Sequence, residues 1–419
     1  MGRSAAPRAR ARIAAWALAC FALASVARAD GTLLIVGGAL AEDNAPVHHA
    51  LIEALPSHGP LVIVPVASGR PARASQGFAD SLVRHGLARD RIEVFPLAVR
   101  DDTATANVDE STWRENAWAS AKIERVRDAA GFWFTGGDQV RITQSLRNAE
   151  GEESPLLALI RARLAAGAAV GGSSAGAAIM SRDMIAGGVS FTALLEPLAS
   201  AYSDSEDQDS GRLYLTRGLG FLPGGLVDQH FDRKARLGRL VRAMVATGQA
   251  RGFGIDEDTA LQVRLGEDSA TVLGRGSVTL IDAAGARFGF GTSALVSGLE
   301  ISVMAPGSRF RLSNFALLTN PGDATVGNEY FGYTPMQGGG MALANPRLDQ
   351  ALGHDLLDND AVRVLNRYSI DADGRVLVYR FTQTGRSAGF WRSDGARDHY
   401  TAVRVRFDIL TLTAALPSH

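Results

Sequence analysis

Cysteine is almost absent from this sequence. The only one, Cys20, lies within the first 29 residues, where several arginines precede an apolar run from Ile13 to Val26 and the small residues Ala27-Arg28-Ala29. This is the pattern of a secretory signal peptide. Cleavage after Ala29 predicts a secreted or periplasmic protein without disulfides or thiol chemistry. Acylation of Cys20 and a retained anchor are the alternatives, although the apolar run is shorter than the roughly 20 residues of a membrane span.

Lysine is also scarce, because Lys122 and Lys234 are the only two. Without residues 1–29 the chain has 38 basic and 44 acidic residues, a net charge of −6. An acidic protein is a poor candidate for binding nucleic acid or anionic lipid, so we expect no nucleic acid and, after signal cleavage, no membrane as a partner. The sequence has no H-E-x-x-H motif and no cysteine cluster, so we expect no metal and no other cofactor.

Short apolar runs alternate with helical patterns in the first half of the chain. The runs predict buried strands, and the helical patterns begin near Asn44 and cover about 78–85 and 112–128. Continuous apolar strands between helices indicate parallel strands covered on both faces. We therefore predict an α/β fold with a doubly wound, mostly parallel sheet. The predicted strands are Thr32–Val36, Leu61–Val66, Ile92–Leu97, Gly131–Phe134 and Ala168–Val170.

The pattern changes further along the chain. Residues 272–281 predict a hairpin pair, and alternating strands such as 376–381 and 402–407 follow glycine-rich loops. These segments indicate a β-rich C-terminal extension. We divide the chain into a signal peptide (1–29), a main domain (30–310) and an extension of unknown role (311–419).

The stretch Gly172-x-Ser174-x-Gly176 lies where a predicted strand turns into a helix. A serine at such a turn projects above the sheet, as in the nucleophile elbow. The alternative is a glycine-rich turn with incidental serines, because the motif is common by chance. If Ser174 attacks a carbonyl, we expect the N–H of Ala175 and one from Gly136 or Gly137 to bind the oxyanion.

A serine nucleophile needs a base and a group that orients the base. His230 alone among the histidines follows an apolar strand and directly precedes a helix, and Glu257 ends another apolar strand. The order serine, acid, histidine would instead require His354 or His399, which lie in the extension. The acidic stretch 202–212 is interpreted as a solvated loop or as a loop that attracts a cationic substrate.

Four motifs in this order resemble those of the cyanophycinases, serine peptidases related to bacterial aspartyl dipeptidase. The resemblance covers roughly residues 31–285. It implies a flavodoxin-like fold similar to class I glutamine amidotransferases, with Ser174 as nucleophile, His230 as base and Glu257 as its acidic partner. The four motifs are 134–139 (FTGGDQ), 171–177 (GGSSAGA), 228–231 (DQHF) with 236–240 (RLGRL), and 254–260 (GIDEDTA).

The resemblance also implies a substrate. Cyanophycin is a poly-aspartate with arginine on each β-carboxyl, and its hydrolysis yields β-aspartyl-arginine dipeptides. Lys234 stands where we expect arginine, and Ser173 stands where the family often has threonine. The relatives suggest a homodimer. The alternatives are a peptidase for small aspartyl or isoaspartyl peptides and a non-catalytic binding protein. The expected substrate-binding residues are Gln139, Asp228, Gln229, Lys234, Arg236 and Arg239.

Overall fold

The computed structural model describes residue 2 and residues 31–202, 208–289, 295–338, 341 and 347–413. All but one residue of the predicted signal peptide therefore lies outside the described residues. Among the described residues, no helix has the length and apolar character needed to cross a membrane. The helices are α1 (Ala45–Glu53), α2 (Pro71–Arg84), α3 (Ser120–Arg125), α4 (Gln139–Leu146), α5 (Pro155–Ala165), α6 (Ala175–Ala178), α7 (Ser190–Leu195) and α8 (Leu237–Thr247).

The strands form two large sheets and one two-stranded ribbon. In chain order they are β1 (Thr32–Val36), β2 (Leu61–Val64), β3 (Ile92–Val94), β4 (Gly131–Phe134), β5 (Ala169–Ser173), β6 (Asp183–Gly187), β7 (Tyr214–Arg217), β8 (Leu226–Asp228), β9 (Arg251–Ile255), β10 (Thr259–Arg264), β11 (Ser269–Gly274), β12 (Val278–Asp282), β13 (Arg287–Gly289), β14 (Leu295–Met304), β15 (Arg309–Arg311), β16 (Leu317–Thr319), β17 (Asp323–Ala324), β18 (Val364–Ile370), β19 (Arg375–Thr382), β20 (Ala388–Ser393) and β21 (Asp398–Thr413).

The first sheet contains the predicted parallel strands. Its order is β16-β15-β11-β10-β1-β5-β4-β2-β3, and the five strands from β1 to β3 in that list are parallel. The order β3-β2-β4-β5 is that of the first four strands in a flavodoxin-like sheet, and β1 occupies the place of the fifth. The remaining strands pair antiparallel and extend this sheet beyond β1.

Helices cover both faces of the parallel strands. In β1, Leu33 and Ile35 pack in one hydrophobic cluster with residues of α4 and α5, whereas Leu34 and Val36 pack in a second cluster with residues of α1 and α2. Because successive side chains of a strand point to opposite faces, both sets must be apolar. The continuous apolar runs in the sequence therefore reflect a doubly wound sheet, as predicted.

Two predictions about local structure differ from the fold. The predicted helix 112–128 is broken into two 3₁₀ turns (Glu110–Trp113 and Asn116–Trp118) and the short α3. The predicted hairpin at 272–281 is wrong. Its two strands, β11 and β12, pair in different sheets, β11 with β10 and β15 and β12 with β9 and β14. The intervening Arg275–Ser277 therefore carries the chain from one sheet to the other.

The second sheet joins the middle of the chain to its C-terminal strands. Its order is β17-β20-β21-β14-β12-β9-β8, and β19 pairs with β21 and β18. Strands β8 and β9 immediately precede His230 and Glu257. The strand-rich C-terminal region is thus hydrogen-bonded, through β14 and β12, to the strands that carry the candidate base and its partner.

Candidate active site

A strained turn between β5 and α6 carries Ser174. Its φ of 55° lies in the left-handed region, which costs energy for any residue other than glycine. A β-carbon on Gly172 would lie 2.7 Å from the Cα atom of Gly176, and a β-carbon on Gly176 would overlap the carbonyl oxygen of Phe134. The turn therefore needs both glycines of the G-x-S-x-G motif, and the structure has the sharp strand-to-helix geometry of a nucleophile elbow.

The side chains of Ser174, His230 and Glu257 form a continuous hydrogen-bonded chain. Ser174 Oγ lies 2.8 Å from His230 Nε2, and His230 Nδ1 lies 2.6 Å from Glu257 Oε1. Since the carboxylate only accepts hydrogen bonds, we assign the ring proton to Nδ1. Nε2 is then free to accept the proton of the serine hydroxyl. The three residues, from three separate segments, are brought together in the predicted order.

Three consecutive carbonyl groups at the end of β1 hold these three segments. The carbonyl of Val36 accepts a hydrogen bond from the N–H of Ser174 (3.1 Å), and that of Gly37 accepts one from His230 (2.7 Å). The carbonyl of Gly38 accepts one from Asp258 (2.8 Å), the residue after Glu257. The Gly37-Gly38 turn therefore sets the relative positions of the three side chains.

Gly38 also makes room for the histidine ring. Its φ is +121°, and a β-carbon there would overlap the imidazole of His230. Sequence reasoning interpreted Gly37-Gly38 only as a tight turn after a strand. Two glycines at the carboxyl end of a strand in such a sheet were the available signal, because ligand sites lie at that edge.

The environment of His230 favours its neutral form. Burial lowers the pKa of its imidazole, and the charges of Arg236 and Lys234 lower it further, while the hydrogen bond to Glu257 acts in the opposite direction. A neutral imidazole is the form that accepts a proton. The base is therefore ready at neutral pH.

Two backbone N–H groups next to Ser174 are free to bind an oxyanion. Among the described residues, the N–H groups of Ala175 and Gly136 have no hydrogen-bond acceptor. A β-carbon on Gly136 would lie 3.4 Å from the β-carbon of Ser174, so this glycine passes close to the serine. Gly137 has a φ of +139° and packs against the backbone of Ala67. Of the predicted oxyanion donors, Ala175 follows the serine directly and Gly136 passes close to it, whereas Gly137 packs against Ala67.

Four of the predicted substrate-binding residues form a buried hydrogen-bonded network with one another. Arg239 forms two hydrogen bonds with the carboxylate of Asp228, at 2.8 and 2.6 Å, and Arg236 donates to the side-chain oxygen of Gln229 at 2.7 Å. Both arginine side chains are at most 3% exposed. Burial lowers the pKa of Arg236 to about 10, so it stays cationic at neutral pH. The network fixes the segment around His230.

The other two predicted substrate-binding residues differ in accessibility. Lys234 is partly exposed, and its ammonium group lies 2.5 Å from the carboxylate of Asp209, which also binds Arg236 at 2.6 Å. Gln139 is buried, and its Nε2 donates to the carbonyl of Ala186. Among the charged residues of this network, Lys234 and Asp209 are therefore the ones accessible to a substrate. Residues 203–207 of the predicted acidic loop (202–212) lie outside the described residues.

Further carboxyl groups lie behind Glu257. Burial raises the pKa of Asp256 well above its usual value, and the nearby Asp232 and Asp349 raise it further. Burial also raises the pKa of Asp232, which accepts a hydrogen bond from the N–H of Glu257 at 3.1 Å. Among the described residues, no group of three or more His, Cys, Asp or Glu side chains is arranged to hold a metal ion.

A serine at an elbow, a histidine and a carboxylate in hydrogen-bonded sequence are the geometry of a serine hydrolase. A sequence profile of peptidase family S51 matches residues 33–272, more than half of the chain. The chain therefore belongs to peptidase family S51 and is a serine-type peptidase of the cyanophycinase and peptidase E type.

Several relatives are similar over long stretches. The cyanophycinase of Nostoc sp. strain PCC 7120 is 29% identical over 291 residues, which cover 67% of this chain and 85% of the relative. The cyanophycinase of Synechococcus elongatus is 37% identical over 170 residues, 40% of this chain and 47% of the relative. A solved peptidase structure from an acI-B1 actinobacterium is 23% identical, with a TM-score of 0.42, over 60% of this chain and 91% of that one.

Proposed function

We propose that the protein is an exported serine exopeptidase that hydrolyses cyanophycin to β-aspartyl-arginine dipeptides. The observation that carries the proposal is the continuous contact from Ser174 through His230 to Glu257, at 2.8 and 2.6 Å. The similarity to cyanophycinases supports the choice of substrate. The arginine-rich, apolar start of the sequence supports export, with cleavage after Ala29.

The reaction begins with attack by Ser174 on a backbone carbonyl of the polymer. His230 Nε2 takes the hydroxyl proton as Oγ forms a bond to the carbonyl carbon, and Glu257 stabilises the resulting imidazolium. The N–H groups of Ala175 and of Gly136 or Gly137 donate to the oxyanion. When the tetrahedral intermediate collapses, His230 gives its proton to the leaving amine, and an acyl-enzyme on Ser174 remains.

Water completes the cycle. His230 removes a proton from a water molecule as the oxygen attacks the acyl carbon, and a second oxyanion forms in the same position. Collapse returns the proton to Oγ of Ser174 and releases the carboxylic acid product. The peptide bond is thus replaced by an amine and a carboxylic acid, at the cost of one water molecule.

The assay that tests this function uses the purified mature protein with insoluble cyanophycin. We expect the suspension to clear and mass spectrometry to identify β-aspartyl-arginine as the released product. Small isoaspartyl peptides are tested in parallel. Hydrolysis of these peptides with the polymer left intact would contradict the proposal and support a dipeptidase. A fluorophosphonate probe that fails to label Ser174 would support a non-catalytic binding protein.

The rate should depend on the protonation of His230. Since burial lowers the pKa of its imidazole, we expect kcat/KM to fall with decreasing pH only below the ordinary value of 6.5. Glu257→Gln removes the carboxylate that raises this pKa. The variant should therefore be slower, and its acidic limb should move to still lower pH. A profile of kcat/KM between pH 4 and 9 measures both effects, with Glu267→Gln, on an exposed carboxylate, as control.

A further inference from the structure

A large cavity opens beside the oxyanion donors, on the face of the first sheet that α4 covers. Its volume is about 890 Å³, which is within the range of pockets that hold small ligands. Asp138 lines it and directly follows Gly136-Gly137, and Gly136 is in near contact with Ser174. The cavity therefore lies next to the segment that carries two of the predicted oxyanion donors.

The cavity has an excess of positive charge. Four arginines line it, Arg100, Arg114, Arg141 and Arg147, against two carboxylates, Glu115 and Asp138. This excess occurs in a chain whose overall charge is close to zero. A concave patch with a net positive charge concentrates a ligand of negative charge.

Two of the four arginines are already engaged within the protein. Arg147 is almost buried and pairs with Glu153 at 2.8 Å, and Arg141 lies 3.6 Å from the carboxylate of Asp138. Asp138 in turn accepts hydrogen bonds from the N–H of Val140 and the hydroxyl of Tyr202. These groups form the wall of the cavity and keep its lining in place.

Arg100 and Arg114 are the charges available to a ligand. Both are exposed, and within the part of the chain that the structure describes neither has a carboxylate partner. They lie on the segment between β3 and α3, which is anchored to the sheet. The side chain of Asn116 donates to the carbonyl of Pro96 at 2.6 Å, and the carboxylate of Glu110 accepts from the N–H of Asp102 at 3.1 Å. The segment that carries the two arginines is therefore anchored at the rim of the cavity.

We propose that this arginine-lined cavity is a subsite that binds carboxylate groups of the peptide substrate through Arg100 and Arg114. The inference rests on the proposed function, because it takes Ser174 as the site of peptide cleavage. Guanidinium groups bind carboxylates with paired, charge-assisted hydrogen bonds. In cyanophycin each arginine attached to the backbone carries a free α-carboxylate, so the subsite takes one or more of these groups while the chain lies across Ser174.

The test measures binding, so it does not depend on cleavage. Ser174→Ala protein is titrated calorimetrically with N-acetylated tetra-aspartate and, separately, with N-acetylated tetra-asparagine. Adding Arg100→Ala and Arg114→Ala should weaken tetra-aspartate binding about five- to thirtyfold, as expected for two charge-assisted contacts. Binding should also weaken with rising salt concentration.

Arg287→Ala/Arg311→Ala is the matched control. It removes two exposed arginines outside the cavity, so it changes the net charge equally, and we expect tetra-aspartate binding to stay within about twofold. The subsite is refuted if the two double variants behave alike, if the Ser174→Ala protein does not bind tetra-aspartate, or if tetra-asparagine binding falls by the same factor. Failure of the proposed function is separate: the protein would then leave cyanophycin intact and still bind tetra-aspartate through these arginines.

Discussion

Ser174→Ala should lower the rate of peptide hydrolysis by a factor on the order of 10⁴ to 10⁶. The substitution removes the Oγ atom that lies 2.8 Å from His230 Nε2, and among the described residues no other hydroxyl forms a hydrogen bond with this histidine. Alanine retains the β-carbon, so the backbone turn and its strain are unchanged. We therefore expect the same circular dichroism spectrum and the same unfolding midpoint, with activity measured as product release from peptide or polymer.

Ser173→Ala is the matched control for this prediction. Ser173 is the neighbouring residue and the last of β5. The control therefore removes the same hydroxyl group one position earlier in the sequence. Since the hydrogen bond to His230 comes from Ser174, the control should retain most of its activity. A Ser174→Ala protein as active as Ser173→Ala would show that the nucleophile is another residue.

Asp228→Ala should lower the free energy of unfolding by about 3–5 kcal/mol. Asp228 is 1% exposed and forms two hydrogen bonds with Arg239, while Arg236 lies 3.7 Å away. Removing the carboxylate leaves two buried guanidinium groups without their shared counter-charge. The measurement is urea unfolding followed by tryptophan fluorescence, where a lower midpoint at an unchanged slope reports lost stability.

An exposed ion pair provides the comparison. Glu267 lies 2.7 Å from Arg309, and both side chains are more than two-fifths exposed. Because water already solvates both charges, Glu267→Ala should leave the urea midpoint nearly unchanged. If Asp228→Ala unfolds at the same urea concentration as Glu267→Ala, the buried network contributes no more to stability than a surface pair.

The fold of the parallel strands could be predicted because both of their faces are buried. After Thr32, the residues of β1 are apolar on both faces, and so are the residues of β4. The sequence pattern therefore predicted Thr32–Val36 and Gly131–Phe134 with the bounds that the structure has. The pairing of β11 and β12 could not be predicted in this way. Strands adjacent in sequence usually pair, and only the packing of two sheets separates these two.

The site was predictable where backbone geometry demands particular residues. The elbow needs glycines around Ser174. A histidine directly after a buried strand indicates a function, because burying a polar side chain without a hydrogen-bond partner costs free energy. The roles of Arg236 and Arg239 were not predictable, because a basic residue after a catalytic histidine fits either a substrate contact or a buried ion pair. The partners of Arg239 lie up to 51 residues away in sequence, and only the fold brings Gly188, Gln208 and Asp228 to it.

The three carbonyls at the end of β1 have a consequence for when the peptidase becomes active. They join the first described strand to segments that follow about 140 to 220 residues later in the sequence. Contacts between such distant residues form late, because closing long loops costs chain entropy. In a chain whose β1 has not yet docked, the segments that carry Ser174, His230 and Glu257 are not held together, so the triad is not formed. Until folding is complete, a chain of this protein therefore has no assembled triad and no peptidase activity.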